Sequence, residues 1–223
     1  MESKKGIYNG EQLTIFSDDI EELYCTDCQL TSLPSLPPGL RKLYCNTNKL
    51  TSLAPLPTSL EELSCHSNQL TNLPPLETLK NLRVLHCDNN QLTSLPPLAT
   101  LVNLEDLRCG NNKLTKLPVL PGNLEVLYCN NNKLDSEIIL PKNLQILNCN
   151  GNQLTKIPKL PKGLEVLCCS NNLLKFLPKL PESLHKLYCN NNQIISLRET
   201  LHKGFIEMRC DGNKLGKEEW DYI

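Results

Sequence analysis

Charge of one sign is missing from this chain: 23 Lys and Arg stand against 24 Asp and Glu, a formal net charge of −1 over 223 residues. No global field therefore draws the molecule onto nucleic acid or anionic membrane, and any electrostatic preference must be local. Long hydrophobic runs are missing too. No stretch approaches the roughly 18 apolar residues of a membrane span, and the opening segment from Met1 to Gly10 has no apolar core followed by a small-residue cleavage site. The chain is expected to have neither a signal peptide nor a membrane span. Twelve cysteines, about 5% of the residues, fall below the density of a small secreted domain built on disulfides. The 39% hydrophobic content is nevertheless enough to bury a core.

What is present is a period. The chain aligns on Leu-x-x-Leu-x-Cys-x-x-Asn-x-Leu-Thr-x-Leu-Pro-x-Leu-Pro, with units starting at Ile20, Leu40, Leu60, Leu82, Leu104, Leu124, Leu144, Leu164, Leu184 and Phe205. The spacing is 20 residues, stretched to 21 or 22 in three places. Self-similarity of this kind is the signature of a stacked repeat architecture. In Leu23-Tyr24-Cys25 and Leu127-Tyr128-Cys129, alternation sends leucine and cysteine inward and tyrosine outward, as a strand buried on one face requires. The prolines closing each unit lack a donor and favour extended backbone, which suits a return segment and excludes a long helix. One unit buries about five apolar side chains at about 1.5 to 3 kcal/mol each, less than the roughly 1.5 kcal/mol per residue needed to order it. Only stacking makes it stable.

These units resemble the leucine-rich-repeat family. The short endings Leu33-Pro34-Ser35-Leu36-Pro37 and Leu177-Pro178-Lys179-Leu180-Pro181 are similar to the bacterial variety found in secreted pathogen effectors, with similar repeats in giant viruses and amoeba-associated bacteria. The resemblance implies a leucine-rich-repeat solenoid. A curved parallel β-sheet would line its concave face, with extended or polyproline segments and occasional short helical turns on the convex face. In several such effectors the repeats precede a ubiquitin-ligase domain. Nothing of domain size follows residue 216 here, so that activity is not carried over.

Stacking turns each repeat position into a column. The sixth holds Cys25, Cys45, Cys65, Cys87, Cys109, Cys129, Cys149, Cys169, Cys189 and Cys210. A buried ladder of thiols is expected, because strands about 4.8 Å apart hold parallel side chains in poor disulfide geometry. Zinc is the alternative, but a straight row does not offer four converging ligands. Such a ladder points to a reducing compartment, the cytoplasm or, for a secreted effector or viral protein, the host cytoplasm. The ninth column is asparagine from Asn48 to Asn213, with Cys28 replacing it in the first repeat. Its amides are expected to bond the backbone of adjacent turns. Cys28 is either an end effect or a reactive thiol.

The outward positions vary. The fifth column reads Tyr24, Tyr44, Ser64, His86, Arg108, Tyr128, Asn148, Cys168, Tyr188 and Arg209, and the third includes Val84, Val126, Ile146 and Val166. Tyrosine, arginine and aliphatic side chains on an open sheet are the composition of protein interfaces. The partner-binding residues expected are Tyr24, Tyr44, His86, Arg108, Val126, Tyr128, Ile146, Val166, Cys168 and Tyr188, with cross-strand packing as the plainer alternative. His66 and His86 with Asp88 raise the question of a metal, but two scattered histidines suit ordinary surface positions equally, and neither metal nor cofactor is expected. Cys168 lacks an adjacent imidazole or cation to make it a nucleophile. Acids gather at strand starts (Glu21, Glu22, Glu61, Glu62, Glu105, Asp106, Glu125). Lysines collect on the later convex returns (Lys116, Lys142, Lys156, Lys159, Lys162, Lys175, Lys179), where a solvated face is expected rather than phosphate binding.

Irregularities mark three places. Glu77-Thr78-Leu79-Lys80 and Ala99-Thr100-Leu101-Val102 lengthen their repeats, and a helical turn is expected in each. In the sixth repeat Glu137 falls where a core leucine belongs, so Ile138 or Ile139 should be seated instead. Residues 1–19, with Leu13, Ile15 and Phe16, are assigned to an N-terminal cap or degenerate first turn, 20–216 to ten repeats, and 217–223 to a C-terminal cap that uses Trp220 and Tyr222. Residues 196–203 suit a helix. The function expected is a non-catalytic protein-interaction module with its partner on the concave face, a bacterial effector or viral host-interaction protein. The alternatives are the recognition domain of a larger effector enzyme and a structural or virion component. No nucleic-acid partner is expected, and a monomer is favoured.

Overall fold

The computed structural model describes residues 4–7, 17–135, 138–198, 201 and 204–218. Eleven three-residue strands form one parallel sheet: β1 (Lys5–Ile7), β2 (Glu22–Tyr24), β3 (Lys42–Tyr44), β4 (Glu62–Ser64), β5 (Val84–His86), β6 (Asp106–Arg108), β7 (Val126–Tyr128), β8 (Ile146–Asn148), β9 (Val166–Cys168), β10 (Lys186–Tyr188) and β11 (Glu207–Arg209). Their spatial order is their chain order. Equivalent repeat positions pair across the sheet without slippage, as in Leu127 with Leu147 and Leu147 with Leu167. The sequence columns are thus columns in space.

The alternation holds in three dimensions. Leu23, Leu43, Leu63 and their successors through Leu187 are fully buried, as is each following cysteine from Cys25 to Cys189, with Cys210 nearly so. All twelve cysteines are outside disulfides. Beneath the sheet, the leucines that open each repeat and those of the returns complete a single core running the length of the stack. In the sixth repeat Ile138 is buried and Ile139 is 73% exposed, so the irregular segment seats the first of the two candidate isoleucines. Glu137 itself lies outside the described residues.

The corner after each strand from β3 to β11 is held by asparagine. Asn132 donates through Nδ2 to the carbonyls of Cys109 (3.0 Å) and Cys129 (3.1 Å), and its Oδ1 accepts from the Leu114 N–H at 2.9 Å. One amide thereby satisfies backbone groups on two successive turns that the bend would leave unpaired. The same pattern recurs at Asn48, Asn68, Asn152, Asn172 and Asn192. At the start of the ladder Asn48 accepts from the N–H groups of Cys28 and Leu30, both at 3.0 Å. The Cys28 thiol turns back to the Thr26 carbonyl at 3.1 Å.

Immediately before the asparagine lies a position whose backbone is left-handed in turn after turn. Asp27, Thr47, Ser67, Asn89, Asn111, Asn131, Asn171 and Asn191, with Gly151 and Gly212, have φ between 50° and 68°. This eighth column is filled by residues that tolerate the left-handed region, with Thr47 the exception because its branched Cβ crowds the backbone there. At Gly151 a Cβ would also sit 2.2 Å from Asn131 Oδ1, so a side chain there would require Asn131 to move.

The described residues contain no α-helix. In the two lengthened repeats the chain makes successive three-residue turns instead of the expected helical turn. Leu79 N–H bonds the Leu76 carbonyl at 2.9 Å and Leu82 N–H the Leu79 carbonyl at 3.1 Å, and Leu101 and Leu104 repeat this. The insertions seat Leu79 and Leu101 fully in the core, which satisfies their apolar pattern without an i to i+4 ladder. Of the helix expected over 196–203, one such bond is seen, from Leu201 N–H to the Leu197 carbonyl at 3.1 Å. Residues 199, 200, 202 and 203 lie outside the description, as do the expected cap residues Leu13, Ile15, Phe16, Trp220 and Tyr222.

Two stability predictions follow from the corner. Asn132→Ala strands one buried N–H and two carbonyls and should destabilise the protein by about 2 to 4 kcal/mol, read as a lower midpoint in urea unfolding. Thr47→Asn relieves the left-handed strain at an exposed site and should raise stability by about 1 kcal/mol in the same measurement.

Candidate functional site

The concave face divides into three stretches with different chemistry. At the N-terminal end the third column alternates in charge across the strands. Lys5 lies 3.8 Å from Glu22, Lys42 lies 4.0 Å from Glu22, and Lys42 lies 3.1 Å from Glu62. Beside them the rings of Tyr24 and Tyr44 stack with centroids 4.9 Å apart. The Tyr24 hydroxyl donates to Glu22 at 2.9 Å and the Tyr44 hydroxyl donates to Glu62. Burial opposes ionisation of Glu62, but the bonds from Tyr44 and Lys42 outweigh it and hold the carboxyl below its usual range. Tyr24 and Tyr44 are thus engaged with their own sheet through cross-strand packing.

The acids at strand starts are engaged as well. Arg41 clasps Glu61 through two nitrogens at 2.8 and 3.0 Å, and Arg83 lies 2.9 Å from Glu105. Exposed pairs of this kind add little stability, but they neutralise the rim of the face.

In the centre, Asp106 sits between a His86 Nε2 at 3.2 Å and an Arg108 guanidinium at 2.9 Å. Burial raises the Asp106 pKa, yet the bonds from His86 and Arg108 prevail and the carboxyl stays below its normal value. Arg108 also lies over the Tyr128 ring, 5.2 Å from its centroid. A hollow of about 240 Å³ opens here, lined by His66, His86, Asp88, Arg108, Gly110 and Tyr128 among others. His66, His86 and Asp88 do share it, but the carboxylate partner of His86 is Asp106, in the neighbouring strand, not Asp88. Among the described residues no group of three or more His, Cys, Asp or Glu side chains is arranged to hold a metal. At Gly110 a Cβ would lie 2.6 Å from the Asn130 amide oxygen, so the Asn130 side chain packs over the bare glycine.

Beyond Arg108 the strands of three successive repeats carry no charge: Val126 and Tyr128, Ile146 and Asn148, Val166 and Cys168, all half-buried. Charge returns at Lys186, beside Tyr188, where Arg209 lies 5.9 Å from the ring centroid and 3.4 Å from Glu207. Cys168 is paired in register between Asn148 and Tyr188. Burial, with a contribution from Glu207, pushes its thiol up to about 11, which keeps it protonated at neutral pH and a poor nucleophile.

The structure also brings forward residues that the column reading had not placed in the face. The seventh position points the same way as the third and fifth, so Asn46, His66, Asp88, Asn130, Asn150 and Asn190 flank the strands, and Ser170 bonds Asn150 and Asn190 across the turns. Strand alternation continued by two residues would have found them. Among the acids of the third column, Glu22, Glu62 and Asp106 read in the sequence as an acidic edge, because their partners lie one repeat away or in the strand itself.

Family models for leucine-rich repeats match residues 58–99, 80–122 and 143–164. Among solved structures, the chain is similar to YopM, a leucine-rich effector protein of Yersinia pestis, at 36% identity and a TM-score of 0.81, over 87% of this chain and 56% of that one. It is similar to InlJ of Listeria monocytogenes, whose functional domain includes a cysteine ladder, at 30% identity and a TM-score of 0.79, over 89% of this chain and 45% of that one. The chain spans about half the length of these proteins. An internalin, InlF of Listeria monocytogenes, shares the fold at 23% identity and a TM-score of 0.73, over 86% of this chain and 61% of that one. No curated protein matches the chain.

The thiols give a further prediction. Burial raises Cys25, Cys129 and Cys189 to about 12 and the other ladder thiols also upward. An unfolded chain ionises its thiols near about pH 8.5, so it releases protons first, and stability present below that pH should be lost as pH rises toward 12. An aromatic disulfide reagent at neutral pH should react with Cys28 and only slowly with Cys168 in the native protein, and with all twelve cysteines rapidly only after denaturation.

Proposed function

The chain is a leucine-rich-repeat protein, and on that footing we propose that it is a non-catalytic interaction module whose protein partner docks on the concave face between Arg108 and Tyr188. The observation that supports this placement is the uncharged stretch of Val126, Ile146 and Val166 beside Tyr128, Asn148 and Cys168, half-exposed on an open sheet. Side chains there have no charge to satisfy and, among the described residues, no covering element, and they cost little to desolvate against an apolar surface. Arg108 and Arg209, each already placed over a tyrosine, border the strip and supply the polar rim that fixes a partner's orientation. Tyr24 and Tyr44 are secondary, because a ligand would first have to break their stacking and their bonds to Glu22 and Glu62. The raised thiol of Cys168 supports binding rather than covalent chemistry at the same place.

The likeness to YopM, an effector, and to InlJ supports an effector-like role, and a ladder of buried thiols suits action in a reducing cytosol. No helix among the described residues is long and apolar enough to cross a membrane.

Tyr128→Ala combined with Ile146→Lys should lower capture of the wild-type partner by about tenfold or more, read by affinity purification and mass spectrometry, with circular dichroism showing an unchanged fold. Tyr24→Phe with Tyr44→Phe should leave capture intact. Equal capture by the first pair would move the site elsewhere.

A further inference from the structure

The charges are unevenly spread along a chain that is nearly neutral overall. Residues 1–112 hold eight Lys and Arg against thirteen Asp and Glu, whereas residues 113–182 hold nine lysines against five acids. The two regions also use their charges differently. The arginines of the first region and several of its acids are paired with one another on the sheet side. In the second, Lys116, Lys142, Lys159, Lys162, Lys175 and Lys179 are exposed on the convex returns, and among the described residues none of these six has an ion-pair partner.

Apolar side chains protrude among these lysines. Val119 is 63% exposed, Ile139 73% and Phe176 60%. Val119, Ile139, Lys159 and Lys179 occupy the same position of four consecutive repeats, so they form one line along the ridge. Between the last two returns is a hollow of about 770 Å³, walled by Lys159, Lys162, Lys179, Pro178 and Pro181, with Glu182 as its one acid. The returning segments of the seventh and eighth repeats are extended and carry two prolines each, with few N–H groups to offer a peptide strand.

We infer that this convex ridge of the fifth to eighth repeats docks on the surface of a bilayer rich in anionic phospholipid. The charge is complementary, since exposed lysines without internal partners are attracted to anionic headgroups. Shape agrees, because the convex side of a curved solenoid can meet a plane whereas its concave sheet cannot. Ile139 and Phe176 stand out from the ridge, while Val119 edges a hollow of about 520 Å³ beside Pro97 and Leu98, so the two protruding side chains insert into a soft interface and the lysine stems reach the headgroup level. A nucleic-acid partner fits less well: Phe176 is the one aromatic on this ridge, and single-stranded bases need a series of them. The ridge is separate from the concave strip, so a protein partner and a membrane would be held on opposite faces at once.

The test is co-sedimentation of the full chain with vesicles of phosphatidylcholine alone or phosphatidylcholine mixed with phosphatidylserine. Binding is expected to the mixed vesicles only and to be released by high salt. Lys159→Gln, Lys162→Gln and Lys179→Gln together should weaken it about tenfold or more, and Ile139→Ser with Phe176→Ser should weaken it at constant charge. The concave variant Tyr128→Ala with Ile146→Lys should sediment as wild type, which separates this outcome from that of partner capture. Failure to sediment with mixed vesicles, equal binding to neutral vesicles, or indifference to the lysine substitutions would overturn the inference. Binding of duplex DNA in place of vesicles, insensitive to Ile139→Ser and Phe176→Ser, would overturn it in favour of a nucleic acid.

Discussion

The asparagine amide that recurs at the corners from Asn48 to Asn213 is the interaction on which the solenoid depends. A chain that turns every 20 or so residues must bend its backbone sharply at the end of each strand, and the bend leaves donors and acceptors without strand partners. The asparagine side chain supplies both kinds of group in one planar unit. It reaches the carbonyls of two cysteines in successive turns and the N–H of a leucine, as Asn132 does with Cys109, Cys129 and Leu114. The residue before it must then adopt left-handed backbone, which explains the recurrence of Asn and Gly there.

Perfect parallel register has a second consequence. It places like positions of consecutive repeats side by side, so outward charges meet across turns. Alternation of Lys5, Glu22, Lys42 and Glu62 lets one end of the concave face satisfy itself, and Asp106 collects His86 and Arg108 in the middle. The uncharged strip that follows has no such internal partners. Its availability arises from contrast with neighbouring strands whose polar groups are already occupied. On the opposite side the relation is reversed: lysines there meet lysines and apolar side chains, and their charge is left for solvent or a ligand.

Much of the fold could be read from the residues. The leucine and cysteine columns marked the core, the prolines marked extended returns, and the misfit of Glu137 pointed to an isoleucine taking the core position, which is Ile138. Local propensity misled in the lengthened repeats, where Leu79 and Leu101 are seated by short turns and not by helices. Proline-free composition permits a helix, but the width of one repeat and the burial of one extra leucine require only a tight bend. The left-handed column was legible in principle as the run of Asn and Gly before the asparagine ladder, with Thr47 and Ser67 obscuring it.

At the candidate site the division is sharper. The sequence alone determined which side chains face outward, because strand alternation and the repeat period are local properties that survive in any stack of these units. Which of those side chains are free to meet a partner was decided only by the tertiary structure. Tyr24, Tyr44 and Tyr128 have the same repeat position, yet two are stacked and bonded to carboxylates and the third lies beneath an arginine beside an uncharged strip. The difference comes from residues a full turn away, such as Glu62 for Tyr44, which sequence separation hides and parallel register brings within bonding distance.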